Sequence, residues 1–163
     1  MAATVQIHEM SALATGVDRT AGAGPIVFRA DDSNAQTSAN PIQIPPAGTD
    51  YSYTKQMRAN VTVAPATQLE NLVCYSDGTN NFGTGIGVQY DIQATFETQI
   101  DTDIAGADYF GLNSGAPGDL GAGPHVGTGY KGELVRLQMT VASTAAPGQT
   151  PVDEALTFAY DES

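Results

Sequence analysis

Two histidines, one cysteine and eighteen carboxylates are the side chains from which this 163-residue chain could build a reactive site. His8 and His125 are far apart in sequence, and neither has a partner at the short spacing of a zinc ligand set. A Ser-His-acid triad is defined by geometry rather than by chain order. No strand-to-helix elbow presents a serine here, however, and surface histidines are the plainer reading. Cys74 stands alone in an apolar run. No intramolecular disulfide or cysteine metal site can form, and a buried, inert thiol fits the position. Asp101, Asp103 and Asp108 could offer oxygens to calcium. The segment lacks the glycine and closing glutamate of the helix-loop-helix site, so a solvated acidic loop competes with that reading. Gly127-Thr128-Gly129-Tyr130-Lys131-Gly132 has the letters of a dinucleotide-binding turn. That turn works only where a helix follows it, and here a strand pattern follows. The sequence therefore offers no cofactor site and predicts a non-enzymatic protein.

Charge narrows the partners. Eighteen acids face six bases, a net charge of −12, and no Lys or Arg falls between Arg58 and Lys131. Phosphate backbones call for a basic footprint, so nucleic acid is excluded as a partner. An anionic membrane surface would repel the chain as well. Solubility is the bland account of such a balance, and a basic partner is the sharper one. The opening MAATVQIHEM lacks a basic start and a sustained apolar stretch, and no segment is long and apolar enough for a membrane helix. Synthesis in the cytoplasm is the expectation.

The elements that would position these residues read as strands. Tyr51–Val63 alternates strictly: Tyr51, Tyr53, Met57, Ala59, Val61 and Val63 share one face, interrupted only by Lys55, and Ser52, Thr54, Gln56, Arg58, Asn60 and Thr62 share the other. Further strands are predicted over Pro25–Ala30, Leu69–Tyr75, roughly 85–98, Glu133–Val141 and Ala155–Tyr160, with an extended piece at Pro41–Ile44. Ser76-Asp77-Gly78 and Ala146-Pro147-Gly148 are turns. No helical period is sustained. About seven strands with turns between them predict an all-β chain, a single β-sandwich of Ig-like or jelly-roll-like type over residues 25–163. Residues 1–24, rich in Ala, Thr and Gly, read as an arm that orders on a partner. Residues 105–132 carry nine glycines and two prolines and read as a long loop of the kind used for contact. Val5 and Ile7 in the arm, and Tyr109, Phe110, Leu112 and Leu120 in the loop, are the expected partner-binding residues.

Two stretches, Val61–Gly83 (VTVAPATQLENLVCYSDGTNNFG) and Val135–Ser163 (VRLQMTVASTAAPGQTPVDEALTFAYDES), resemble segments of small Ig-like or related β-sandwich proteins among the structural proteins of tailed phages. They cover about a third of the chain. The resemblance implies a capsid decoration (cement) protein on the virion exterior, made in the host cytoplasm. It implies a homo-oligomer, a trimer, whose partner is the major capsid protein. A tail, neck or head-fibre component of the same particle is the alternative. From another class, a carbohydrate-binding or adhesion module could stack sugar rings on Tyr51, Tyr53, Tyr109, Phe110 and Tyr130.

Overall fold

The computed structural model describes residues 2–20, 25–35, 39–147 and 154–163. The fold is all-β, built from two antiparallel sheets in a sandwich-like arrangement. Ten strands make it up: β1 (Thr4–Ala12), β2 (Thr15–Asp18), β3 (Thr49–Tyr51), β4 (Lys55–Val63), β5 (Leu69–Tyr75), β6 (Ile86–Gln93), β7 (Ala107–Asp108), β8 (Gly118–Gly121), β9 (Gly129–Ala142) and β10 (Thr157–Glu162). The larger sheet has the order β2-β1-β4-β9-β6-β7, with β3 also paired to β9, and the smaller has the order β10-β5-β8.

Period-two alternation explains the interior. Met57, Ala59 and Val61 of β4 lie on one face with Val135 and Leu137 of β9 and Val88 of β6. Across from them are Leu72 and Cys74 of β5 and Leu120 of β8, and together they form one buried cluster. Complete burial of each Leu or Val contributes about 1.5–3 kcal/mol relative to exposure. Strand β5 buries both Leu69 and Leu72, three apart, which a regular strand cannot do. Asn71 supplies the extra step. Its φ is +51°, a region asparagine tolerates, and its side-chain amide donates to Asp161 of β10 at 2.7 Å.

Three expectations are corrected. Residues 1–24 are not a free arm: Thr4–Asp18 is a β-hairpin whose first strand pairs with β4 from Thr4↔Val63 to Met10↔Gln56. Residue 1 and residues 21–24 of that predicted arm lie outside the described residues. The physical reason is an edge. Without β1, the outer side of β4 would be left unpaired. Pro25–Ala30 is extended but joins neither sheet. Its hydrogen bonds go to single partners instead, such as Tyr53 N–H to the Arg29 carbonyl at 2.9 Å.

The Gly-rich 105–132 segment is not one loop either. It contains β7, a 3₁₀ turn over Tyr109–Gly111, β8 and the start of β9. At Gly132 a bulge separates the pairs Met57↔Val135 and Ala59↔Lys131. There φ is +65°, and an added Cβ would lie 2.5 Å from Leu72 Cδ2 and 2.6 Å from the Leu120 carbonyl oxygen. The glycine lets β9 press against β5 and β8. Of the predicted turn at Ala146-Pro147-Gly148, Gly148 lies outside the described residues.

Candidate functional site

Charge is handled inside the molecule. Glu9 of β1 and Lys55 of β4 are 1% and 0% exposed. The Arg19 guanidinium, just after β2, meets Glu9 Oε2 at 2.7 Å, and Lys55 Nζ lies 3.3 Å from Glu9 Oε1. Lys55 also donates to the Ser33 carbonyl at 2.7 Å and Arg19 to the Asn34 carbonyl at 2.7 Å. Burial pushes the Lys55 ammonium below its ordinary pKa, and the Glu9 carboxylate opposes that shift. The residue that interrupts the apolar face of β4 is therefore the centre of an ionic cluster joining the hairpin, β4 and the 33–34 segment.

The other face of the large sheet is polar, and Gln56, Arg136 and Gln138 on it are buried. Residues 94–104 run across it, and the sheet's side chains hold their backbone. Gln56 donates to the Glu97 carbonyl at 2.6 Å and accepts from the Glu97 N–H at 3.0 Å. Gln138 donates to the carbonyls of Ser52 (2.8 Å) and Thr102 (3.0 Å) and accepts from the Ile104 N–H (3.2 Å). Arg136 pairs with Asp91 on β6 and reaches Glu97 at 2.8 Å. Tyr53 and Thr54 turn their N–H groups to Arg29 and Ile100, which splits the predicted strand Tyr51–Val63 into β3 and β4. Ser52, Thr54 and Gln56, on the polar face of that predicted strand, are buried.

These contacts set the character of the exterior. Arg29 pairs with Asp31, Arg58 donates to the Gly132 carbonyl, and Lys131 donates to the carbonyls of Val126 and Thr128. None of the six cations falls among the exposed residues, whereas Asp32, Asp77, Asp101, Asp119 and Asp161 do. The −12 charge is displayed outward.

A groove lies at the hairpin edge of the large sheet. It has a volume of about 510 Å³ and is lined by Ser11, Val17, Asp32, Asn34, Phe96, Thr98 and Gln99. None of these was singled out from the sequence. They come from three separate stretches, and only Phe96, the last apolar residue of an alternating run, carried a local signal.

The predicted site residues fall elsewhere. Tyr109, Phe110, Leu112 and Leu120 are buried in the apolar cluster, and Val5 and Ile7 pack against it half-buried. Tyr109, Phe110, Leu112 and Leu120, expected as partner contacts, are core because β8 and the 3₁₀ turn fold beneath β6. Burial pushes the Tyr109 hydroxyl up in pKa, and it donates to the Ala155 carbonyl at 2.6 Å. Burial likewise pushes the Cys74 thiol up to about 12, a value at which it is unreactive. The sugar-stacking set thus loses Tyr109 and Phe110. Tyr51 and Tyr130 are half-buried, with hydroxyls bound to Asp103 and His8 at 3.1 and 3.0 Å.

Two of the calcium candidates, Asp103 and Asp108, are used as local acceptors. Asp103 accepts from Tyr51, Gln89 (2.9 Å) and the Ala105 N–H (2.8 Å), and Asp108 accepts from the Phe110 N–H (3.1 Å). Among the described residues no group of three or more His, Cys, Asp or Glu is placed to hold a metal ion, which corrects Asp101, Asp103 and Asp108 as a calcium set. Nor is any helix among them long and apolar enough to cross a membrane.

The chain matches no family model, no curated protein and no solved structure. Its residues and their arrangement carry the functional reading.

Proposed function

We propose that this chain is a non-enzymatic structural protein of a tailed-phage particle, a decoration protein that binds the outside of the assembled capsid. The observation that carries the reading is the destination of the buried ionic and amide groups. Glu9, Arg19, Lys55, Gln56, Arg136 and Gln138 bind one another, the carboxylates of Asp91 and Glu97, or the chain's own backbone, joining the hairpin, the large sheet and the 94–104 segment. Side chains of the types that could do chemistry serve here to hold the protein together. The two stretches that resemble phage structural proteins also come together, because β10 in the second pairs with β5 in the first.

The proposed mechanism is linkage. A protein that binds the assembled shell and not its separated subunits stabilises the shell by mass action. Its partner in this reading is the major capsid protein, and copies would associate as a homo-oligomer on the lattice.

Electron microscopy of particles assembled with and without the protein tests the proposal. Added density on the capsid exterior in hundreds of copies is expected, together with capsids that open at higher temperature. Density confined to the tail or neck would reassign the chain to that part of the particle. No particle association at all would refute the reading.

A further inference from the structure

We propose that the groove beside β2 is a docking site for an extended, basic peptide segment of a partner protein, which adds as a strand to the open edge of the large sheet. Strand β2 ends that sheet. The Arg19 N–H donates to the Ile7 carbonyl at 2.7 Å, so Arg19 and, two residues earlier, Val17 bond inward to β1. Gly16 and Asp18 therefore turn their backbone N–H and C=O away from β1. Such a row of backbone groups is the template on which strand addition works.

Side chains beside the edge fit the same occupant. Val17, 45% exposed, belongs to both the edge and the groove, where Phe96 gives a second apolar surface; Leu13, 55% exposed, lies at the hairpin tip. An extended peptide directs alternate side chains to one face, so apolar residues can meet Val17 and Phe96. Among the described residues Asn34 Nδ2 and Gln99 Oε1, in two of the lining side chains, have no hydrogen-bond partner.

Charge selects the partner. Asp32 lines the groove and is exposed, and Asp18 sits on the edge strand. The nearest cations, Arg19 and Lys55, are buried against Glu9, with side chains 4% and 0% exposed. A second copy of this chain, itself at −12, would be repelled from the edge, as would nucleic acid. A strand carrying Lys or Arg would be attracted. The inference goes beyond the capsid reading and does not depend on it, because binding of a peptide is measured on the isolated protein.

The probe is the synthetic peptide acetyl-Lys-Val-Lys-Val-Lys-Val-Lys-amide, titrated into the isotope-labelled full chain and followed by amide chemical shifts. Its controls are the same peptide with Glu for Lys and one with alternate backbone nitrogens methylated. Shifts centred on Gly16, Asp18 and the Asn34 and Gln99 side-chain amides are expected, with each control at least tenfold weaker. Asp32→Lys, and independently the milder Asp32→Asn, should weaken the lysine peptide while leaving the rest of the spectrum in place. Shifts centred on β10 or scattered over the acidic surface, equal binding of the methylated peptide, or no binding would each overturn the proposal.

Discussion

The two faces of the large sheet are covered by opposite chemistry. On the inner face Met57, Val135, Leu137 and Val88 meet Leu72, Cys74 and Leu120 of the smaller sheet in an apolar cluster. On the outer face Gln56 and Gln138 hydrogen-bond to the backbone of residues 94–104, and Arg136 binds the Glu97 carboxylate. The inner face needs only shape and volume, and a methylene can be replaced by another. The outer face needs each donor matched to an acceptor, because an unpaired buried polar group costs about 1–3 kcal/mol. The same strand, β4, serves both. A covering segment without regular structure is thus fixed by side chains of the sheet it covers, where a second sheet is fixed by mutual apolar burial.

The sharpest way to break this contrast is at the ionic cluster, which places charge on the inner side. Glu9→Gln removes the carboxylate that both Lys55 and Arg19 contact in the interior, and a loss of about 4 kcal/mol in urea unfolding is expected. A loss below about 1 kcal/mol would show that the cluster is hydrated rather than buried. Leu72→Ala tests the apolar side itself: a cost of about 3 kcal/mol is expected, spread over the whole domain. Gln138→Ala tests the polar side and should cost about 2 kcal/mol. Its signature is regional, with faster hydrogen exchange at Ile104 and its neighbours while amides of β5 keep their protection.

The smallest effect is expected from pH. Hydrogen bonds from the Thr20 hydroxyl and N–H hold Asp18 below the ordinary carboxylate value of 3.8, and bonds from Gln89 and Ala105 do the same for Asp103. Arg29 and Asn40 lower Asp31 still further. Since each folded value lies below the unfolded one, the stabilisation is complete above about pH 3.8 and declines as pH falls further. All three groups are on the surface, so the thermal midpoint should drop only modestly between pH 5 and 3, and less in high salt. A midpoint that rises over that interval would contradict the assignment.

Much of the sandwich was readable along the chain. Leu69–Tyr75 lies where its apolar run put it, and the strands near 86–93, 133–141 and 157–160 lie where alternation put them, because a strand records its buried face in every second residue. The hairpin of residues 4–18 was less readable, since small and polar residues carry little periodicity and β1 is a strand chiefly because β4 offers it an edge. The groove was not readable at all. Its walls come from stretches near residues 11–17, 32–34 and 96–99, which share no local pattern.

By itself the sequence determined the all-β class, the lone thiol and the excess of acid, since period, count and charge are properties of residue order alone. Only the tertiary structure decided where the six cations go, which tyrosines are core, and that the polar face of β4 is covered. Those outcomes depend on which distant segment lies over each side chain. A lysine in an apolar pattern reads as an interruption until the carboxylate from another strand is seen beside it.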